Sequence, residues 1–191
     1  MGKGRLEAFS DGVLAIIITI MVLELEVPHG PDWRSVANIV PSLLIYLLSF
    51  VFLGIYWNNH HHMLHASRRV DGRVLWANLH LLFWLSLVPF ATAYLGEAGI
   101  ERVPTAVYGI LMVMSAIAWR LLLAAICALE GEESPLIRAV GRDRKGAIST
   151  VLYIAGLALA FVVPWMGMAL YVLVALVWLV PDRRIEAILR D

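Results

Sequence analysis

The feature that most constrains this chain is the length of its uncharged stretches. No Asp, Glu, Lys or Arg occurs from Gly12 to Leu23, Ser35 to Ser67, Val74 to Gly96 or Gly146 to Pro181. A helix needs about 20 mostly apolar residues to cross the hydrocarbon core of a bilayer, and a soluble fold interrupts its apolar runs much sooner with polar turns. Composition agrees: 61% of the 191 residues are hydrophobic and 16% are charged, against about half and about a quarter in soluble domains. The expected fold is all-α, a polytopic membrane protein whose backbone polar groups are satisfied inside helices. The formal net charge is +0, so no basic excess points to nucleic acid. Cys127 is the single cysteine, which excludes a disulfide or a cysteine-based metal site within one chain. Lys3 and Arg5 precede an apolar run as in a signal peptide, but Glu24, Glu26 and Pro28 stand where a small-residue cleavage site belongs. The segment therefore reads as a retained helix.

Six spans are expected: Leu6–Val27, Val36–Trp57 with a helical extension toward Ser67, Val74–Leu95, Pro104–Leu129, Ala147–Val163 and Gly167–Val180. The last two share one uncharged stretch, which Pro164-Trp165-Met166-Gly167 divides with turn chemistry and an interfacial aromatic. With a cytoplasmic N-terminus, Lys3, Arg5, Arg68, Arg69, Arg73, Arg138, Arg142, Arg144, Lys145, Arg183, Arg184 and Arg190 fall on the cytoplasmic side, against Arg34 and Arg102 opposite. Such a Lys/Arg bias places both termini in the cytoplasm and requires an even number of spans in a cell-membrane protein. Residues 1–191 read as a single six-helix transmembrane domain, without internal repeats or a soluble module.

The first span carries the most unusual residue, Asp11, because an ionisable group inside a span is costly unless it is paired or faces water. At 100° per residue, Gly12, Ile16, Thr19, Leu23 and Glu26 share one narrow stripe, and Asp11 lies about 100° to its side. Close helix packing produces the same pattern, with Gly12 and Thr19 as the small residues. Spacing alone favours that packing reading; Glu24 and Glu26 raise a second, since acidic side chains at a mouth concentrate cations, although acids near a helix end are often simply solvated.

Arg5-x-x-x-Phe9-Ser10-Asp11 opening an Ile-rich helix resembles the signature of the transmembrane protein 175 family, the lysosomal potassium channels and their bacterial homologues. Trp57-x-x-His60-His61 closing the second helix, Asp71-Gly72-Arg73-x-Leu75-Trp76-x-Asn78-Leu79 opening the third, and Pro89-Phe90 near its end are similar to bacterial members in order and spacing. The resemblance is strong over the first hundred residues or so and rests on span count beyond them. It implies a channel for potassium and other monovalent cations, a homotetramer in the six-helix bacterial form with the first helices around a central axis. No cofactor beyond the permeant ion is implied, and no enzyme. The family's hydrophobic constriction then falls on Ile16, with Thr19, Ile20 and Leu23 in the layers above it. Of these Ile20 lies off the centre of the stripe. Arg5, Ser10, Asp11, Trp57, His60 and Asn78 share one membrane level and, by resemblance, form a hydrogen-bonded network that holds the pore helix. The carbonyl-filter sequence T-V-G-Y-G is absent, so only modest selectivity is expected.

His60-His61-His62-x-x-His65 invites a metal reading, because His61 and His65 share a helix face. No Glu follows in the H-E-x-x-H pattern, and no metal site is expected; a proton sensor fits the titration range of histidine better. Arg120 stands alone among the apolar residues of the fourth span and is expected to face the bundle and pair with a carboxylate or helix-end carbonyls. Two other classes of function compete. A proton-coupled secondary transporter using Asp11 and the His60–His62 cluster should show paired repeats and broken helices at mid-membrane. A haem or metal enzyme needs histidines paired across helices at equal depth, and the sequence offers few such pairs.

Overall fold

The computed structural model describes residues 2–131 and 143–179. Arg138, Arg142, Arg183, Arg184 and Arg190 of the charge asymmetry, and Val180 at the end of the sixth expected span, lie outside the described residues. The described chain runs α1 (Lys3–Ile20), a 3-10 turn (Met21–Glu24), α2 (Trp33–Ala66), α3 (Gly72–Ser86), α4 (Val88–Ala98), α5 (Arg102–Glu130), α6 (Arg144–Ala160) and α7 (Pro164–Leu179). Among the described residues, four stretches are long and apolar enough to cross a membrane: Lys3–Glu24, Trp33–Ala66, Gly72–Ala98 and Arg102–Glu130. The helices α6 and α7 are shorter apolar segments. The chain is thus an all-α, multi-pass membrane protein.

Local chemistry explains where these helices begin and end. Asp32 Oδ1 accepts from the Ser35 N–H at 2.8 Å, Asp71 Oδ1 from Val74 at 2.9 Å and Asp143 Oδ1 from Gly146 at 2.9 Å. Each side chain satisfies a donor that the first helical turn leaves open. The hydrogen bonds from Ser35 also hold the exposed Asp32 carboxyl below the ordinary carboxylate range. Gly99 and Gly131 follow α4 and α5 with φ of 76° and 81°, the left-handed stop that a side chain would disfavour.

The first and third spans differ most from expectation, while the second runs Trp33–Ala66 with the expected extension toward Ser67. The first runs Lys3–Glu24 rather than Leu6–Val27, and Leu25 is already extended; Pro28 cannot continue a helix and biases the residue before it away from one. The third, expected as one helix over Val74–Leu95, breaks at Leu87 into α3 and α4, because Pro89 has no N–H to offer the carbonyl one turn back. The second is 34 residues long, about 51 Å at 1.5 Å per residue. That exceeds a hydrocarbon core of about 30 Å, so its ends stand at or beyond the headgroups.

The helix α1 rests on α2, α3 and α4, whereas α5 packs against α3, α4, α6 and α7. Small residues set the second group. A Cβ on Gly109 would fall onto the Tyr171 hydroxyl, one on Gly156 onto the Tyr171 ring, and one on Gly167 onto the Gly156 carbonyl at 2.7 Å. Without a hydrophobic drive between helices in lipid, close packing of this kind, with interhelical hydrogen bonds, drives association. Gly109→Ala should therefore lower the thermal midpoint of the detergent-solubilised protein, with an overpacking cost of about 1–3 kcal/mol. A melt identical to the parent would show that this contact does not constrain the fold.

Candidate functional site

Burial divides α1 lengthwise. Leu6, Ser10, Leu14, Ile17 and Met21 are buried against the bundle. On the opposite side Ile16 is 59% exposed, Ile20 42% and Leu23 78%. Gly12, Thr19, Glu24 and Glu26 are exposed as well. The angular stripe of Gly12, Ile16, Thr19, Leu23 and Glu26 thus points away from the chain's own core. Asp11, between the two faces, is half-buried.

A hydrogen-bonded chain fixes this azimuth. His60 Nε2 lies 2.6 Å from Asn78 Oδ1, Asn78 Nδ2 donates to Ser10 Oγ at 2.9 Å, and Ser10 Oγ donates to the Leu6 carbonyl at 2.8 Å. An amide oxygen only accepts, so His60 carries its proton on Nε2 and the chain has one direction, ending on a backbone carbonyl. All three side chains are buried. One turn earlier on α2, Trp57 Nε1 donates to Asp11 Oδ1 at 3.1 Å. Adjacent residues of α1 are thereby held through one turn of α2. Lys3 adds a third attachment, donating from Nζ to the His65 carbonyl at 2.8 Å.

The structure brings Ser10, Asp11, Trp57, His60 and Asn78 together and leaves Arg5 and Phe9 outside. Both are exposed, and Arg5 has no ion pair among the described residues. Asp11 takes its hydrogen bond from Trp57 rather than from His60 or Arg5. His61 stacks between Trp57 and His65 with centroids 6.3 and 6.1 Å away, an exposed ladder of rings along α2. Arg120 corrects the expectation for it: the residue is exposed, and the described ion pair is Lys3–Glu7. The buried face of α5 carries Ala118, Leu122 and Ile126, and Arg120 lies toward Ile117 and Leu121 on the outer face.

Thr19 is also exposed, and its Oγ1 sits 2.9 Å from the Ala15 carbonyl and 3.0 Å from the Ile16 carbonyl. The hydroxyl proton is committed to the helix backbone, so the oxygen lone pairs face outward. Beside this face a cleft of about 520 Å³ opens between α1 and the α3–α4 break, lined by Ile16, Ile20, Glu24, Pro89 and Phe90 among others.

Sequence reasoning missed a second polar cluster. Thr92 Oγ1 lies 2.7 Å from Ser49 Oγ, which is 3.0 Å from Tyr108 Oη. It ties α2, α4 and α5 together with buried hydroxyls, whose spacing within each helix carries no signal. Glu130 was missed too: its carboxylate accepts from Ser67 Oγ and from the N–H groups of Arg68 and Arg69, which fastens the turn after α2 to the end of α5.

Residues 5–89 match the family described as endosomal/lysosomal potassium channel TMEM175. A potassium channel of a Chryseobacterium species is 53% identical over 191 residues, covering 100% of both chains. The chain belongs to the TMEM175 family. A potassium channel of Chamaesiphon minutus is 33% identical over 91% of each chain. The crystal structure of a lysosomal potassium-selective channel TMEM175 homolog from that organism superposes with a TM-score of 0.79 at 30% identity, over 94% of this chain and 97% of the other. The bovine endosomal/lysosomal proton channel TMEM175 is 34% identical over 44% of this chain, which spans only 20% of the bovine protein. TMEM175 members are channels rather than enzymes, and the residues that match the family include α1 and the Ser10–Asn78–His60 chain.

Asn78→Ala removes both the acceptor for His60 and the donor to Ser10. It should destabilise the folded protein by about 1–2 kcal/mol, more than Trp57→Phe, whose Asp11 partner stays half-open to solvent. Equal losses in equilibrium unfolding would contradict a special role for the buried chain.

Proposed function

We propose that the protein is a potassium-permeable cation channel of modest selectivity, formed by four copies with their α1 helices around a common axis. The observation that carries this reading is the outward face of α1, where Ile16, Ile20 and Leu23 are large, apolar and exposed while the opposite face is buried. One chain does not enclose a path with that face, whereas a cyclic assembly repeats it around an axis.

In such an assembly Ile16 forms the narrowest ring. A ring of branched apolar side chains expels water when narrow and admits a largely dehydrated ion when it widens. Thr19 stands one turn above, its hydroxyl oxygen directed outward because its proton is held by the backbone. Four such oxygens replace part of an ion's hydration shell, which favours potassium over the more strongly hydrated sodium. Leu23 and Ile20 continue the lining, and Glu24 and Glu26 raise the cation concentration at the mouth. Asp11 does not face the ion in this reading. Ser10, Asp11, Trp57, His60 and Asn78 hold the helix, and their geometry influences how far the Ile16 ring can open.

The orientation follows from the basic residues. Lys3 contacts the end of α2, so Arg68, Arg69 and Arg73 lie at the same end of the bundle as the N-terminus, and Arg34 and Arg102 at the other. Positive residues favour the cytoplasmic side, and the C-terminal arginines of the sequence then place both termini there. The whole chain acts as one transmembrane unit and needs no cofactor besides the permeating ion.

Reconstituted into liposomes, the protein should carry potassium without a proton gradient, and Ile16→Asn should raise that flux by wetting the constriction. Absence of flux from the parent under any gradient would end the channel reading. An unchanged flux in the variant would remove Ile16 from the gate.

A further inference from the structure

Arg120 is the single charged residue of α5 between Arg102 and Glu130. It is exposed next to the exposed apolar side chains of Ile117 and Leu121 and has no ion pair among the described residues. A guanidinium among lipid-facing side chains is costly unless an anion or water meets it. The exposed side chain stands at the edge of a small, mostly apolar cavity of about 40 Å³ between α2, α5, α6 and α7, whose walls include Tyr56, Trp119, Tyr153 and Trp178. Ser149 Oγ anchors that wall by accepting from Trp178 Nε1 at 2.8 Å, and Lys145 Nζ lies 4.4 Å from the Trp178 ring centroid.

A second cleft, of about 260 Å³, adjoins the first through Ile55, Asn59 and Trp178 and continues along α2 past Gly54 to Val51 and Phe50. Asn59 is about 10 Å from the end of α2 and Phe50 about 24 Å, at 1.5 Å per residue. The polar end of this double cleft is therefore nearer the membrane surface, and the apolar end runs toward mid-membrane. The cleft is open beside Gly54, where a Cβ would meet nothing within 4 Å.

We propose that this double cleft is a binding site for an anionic phospholipid, with Arg120 on the phosphate and an acyl chain along the Gly54 groove. A guanidinium presents a rigid fork that matches phosphate oxygens, and the tryptophans supply amphipathic rings suited to the headgroup boundary. Charge complementarity selects an anionic over a zwitterionic lipid, because Arg120 is the charged group on the wall and no carboxylate lines either cleft among the described residues. The proposal does not depend on where the ion path runs.

The test uses the full-length protein in mild detergent, incubated separately with phosphatidylglycerol, with phosphatidylcholine of the same acyl chains and with inorganic phosphate, and read by native mass spectrometry and thermal melting. Phosphatidylglycerol should remain bound and raise the melting midpoint more than either alternative. Arg120→Gln should weaken its retention by about tenfold, the factor that loss of a charge-assisted hydrogen bond brings. Gly54→Leu, which fills the groove where the backbone has room, should weaken retention as well while the variant remains folded. Equal retention of phosphatidylcholine, undiminished retention in both variants, or equal protection by inorganic phosphate would overturn the proposal.

Discussion

Asn78 cannot be left without partners inside a bilayer, where an unsatisfied polar group costs several kcal/mol. Its amide is used at both ends, accepting from His60 on α2 and donating to Ser10 on α1, and three helices are registered by one side chain. Because Ser10 must face Asn78, the residues on the same side of α1 are committed to the core, and those half a turn away are committed to the outside. Leu14 and Ile17 are buried and Ile16 and Leu23 are exposed for that reason. The bond from Trp57 to Asp11 keeps that carboxylate on the flank of α1, clear of the face assigned to the ion.

The face so presented combines two properties. Its large side chains are apolar, which suits a gate that works by excluding water. Its one hydroxyl donates to its own backbone, leaving acceptor oxygen outward as a cation requires. The α3–α4 break at Leu87 completes the arrangement, because it shapes the cleft of about 520 Å³ beside Ile16 and Ile20. Farther from α1, the glycine contacts around Tyr171 join α5, α6 and α7 into a second tightly packed group.

Much of this is legible in the sequence, and what is not fails for identifiable reasons. The uncharged stretches specify membrane helices, because their length is set by bilayer thickness. The stripe on α1 follows from the helical period alone, and the structure exposes every one of its members. The partner of Asp11 was not decidable, since Trp57, His60 and Arg5 all offer donors and only the register between α1 and α2 chooses. Arg120 was expected inside because burial of a lone charge in a span usually means pairing, yet its position on α5 relative to Ala118 and Leu122 puts it on the outer face. The Ser49–Thr92–Tyr108 cluster depends on three helices meeting, and no spacing within one helix announces it. The break at Leu87 was readable from Pro89 but was outweighed by the continuity of the apolar run.

The central claim is that one face of α1 meets the ion path while the other is packed. Cysteine accessibility along α1 tests it most directly, in a Cys127→Ser background, with a membrane-impermeant thiol reagent and potassium flux in liposomes as the readout. The account predicts that cysteines replacing Gly12, Thr19 and Leu23 react and block flux, while those replacing Leu14, Ile17 and Met21 do not. Reaction and block at the second set, or no difference between the two, would contradict it.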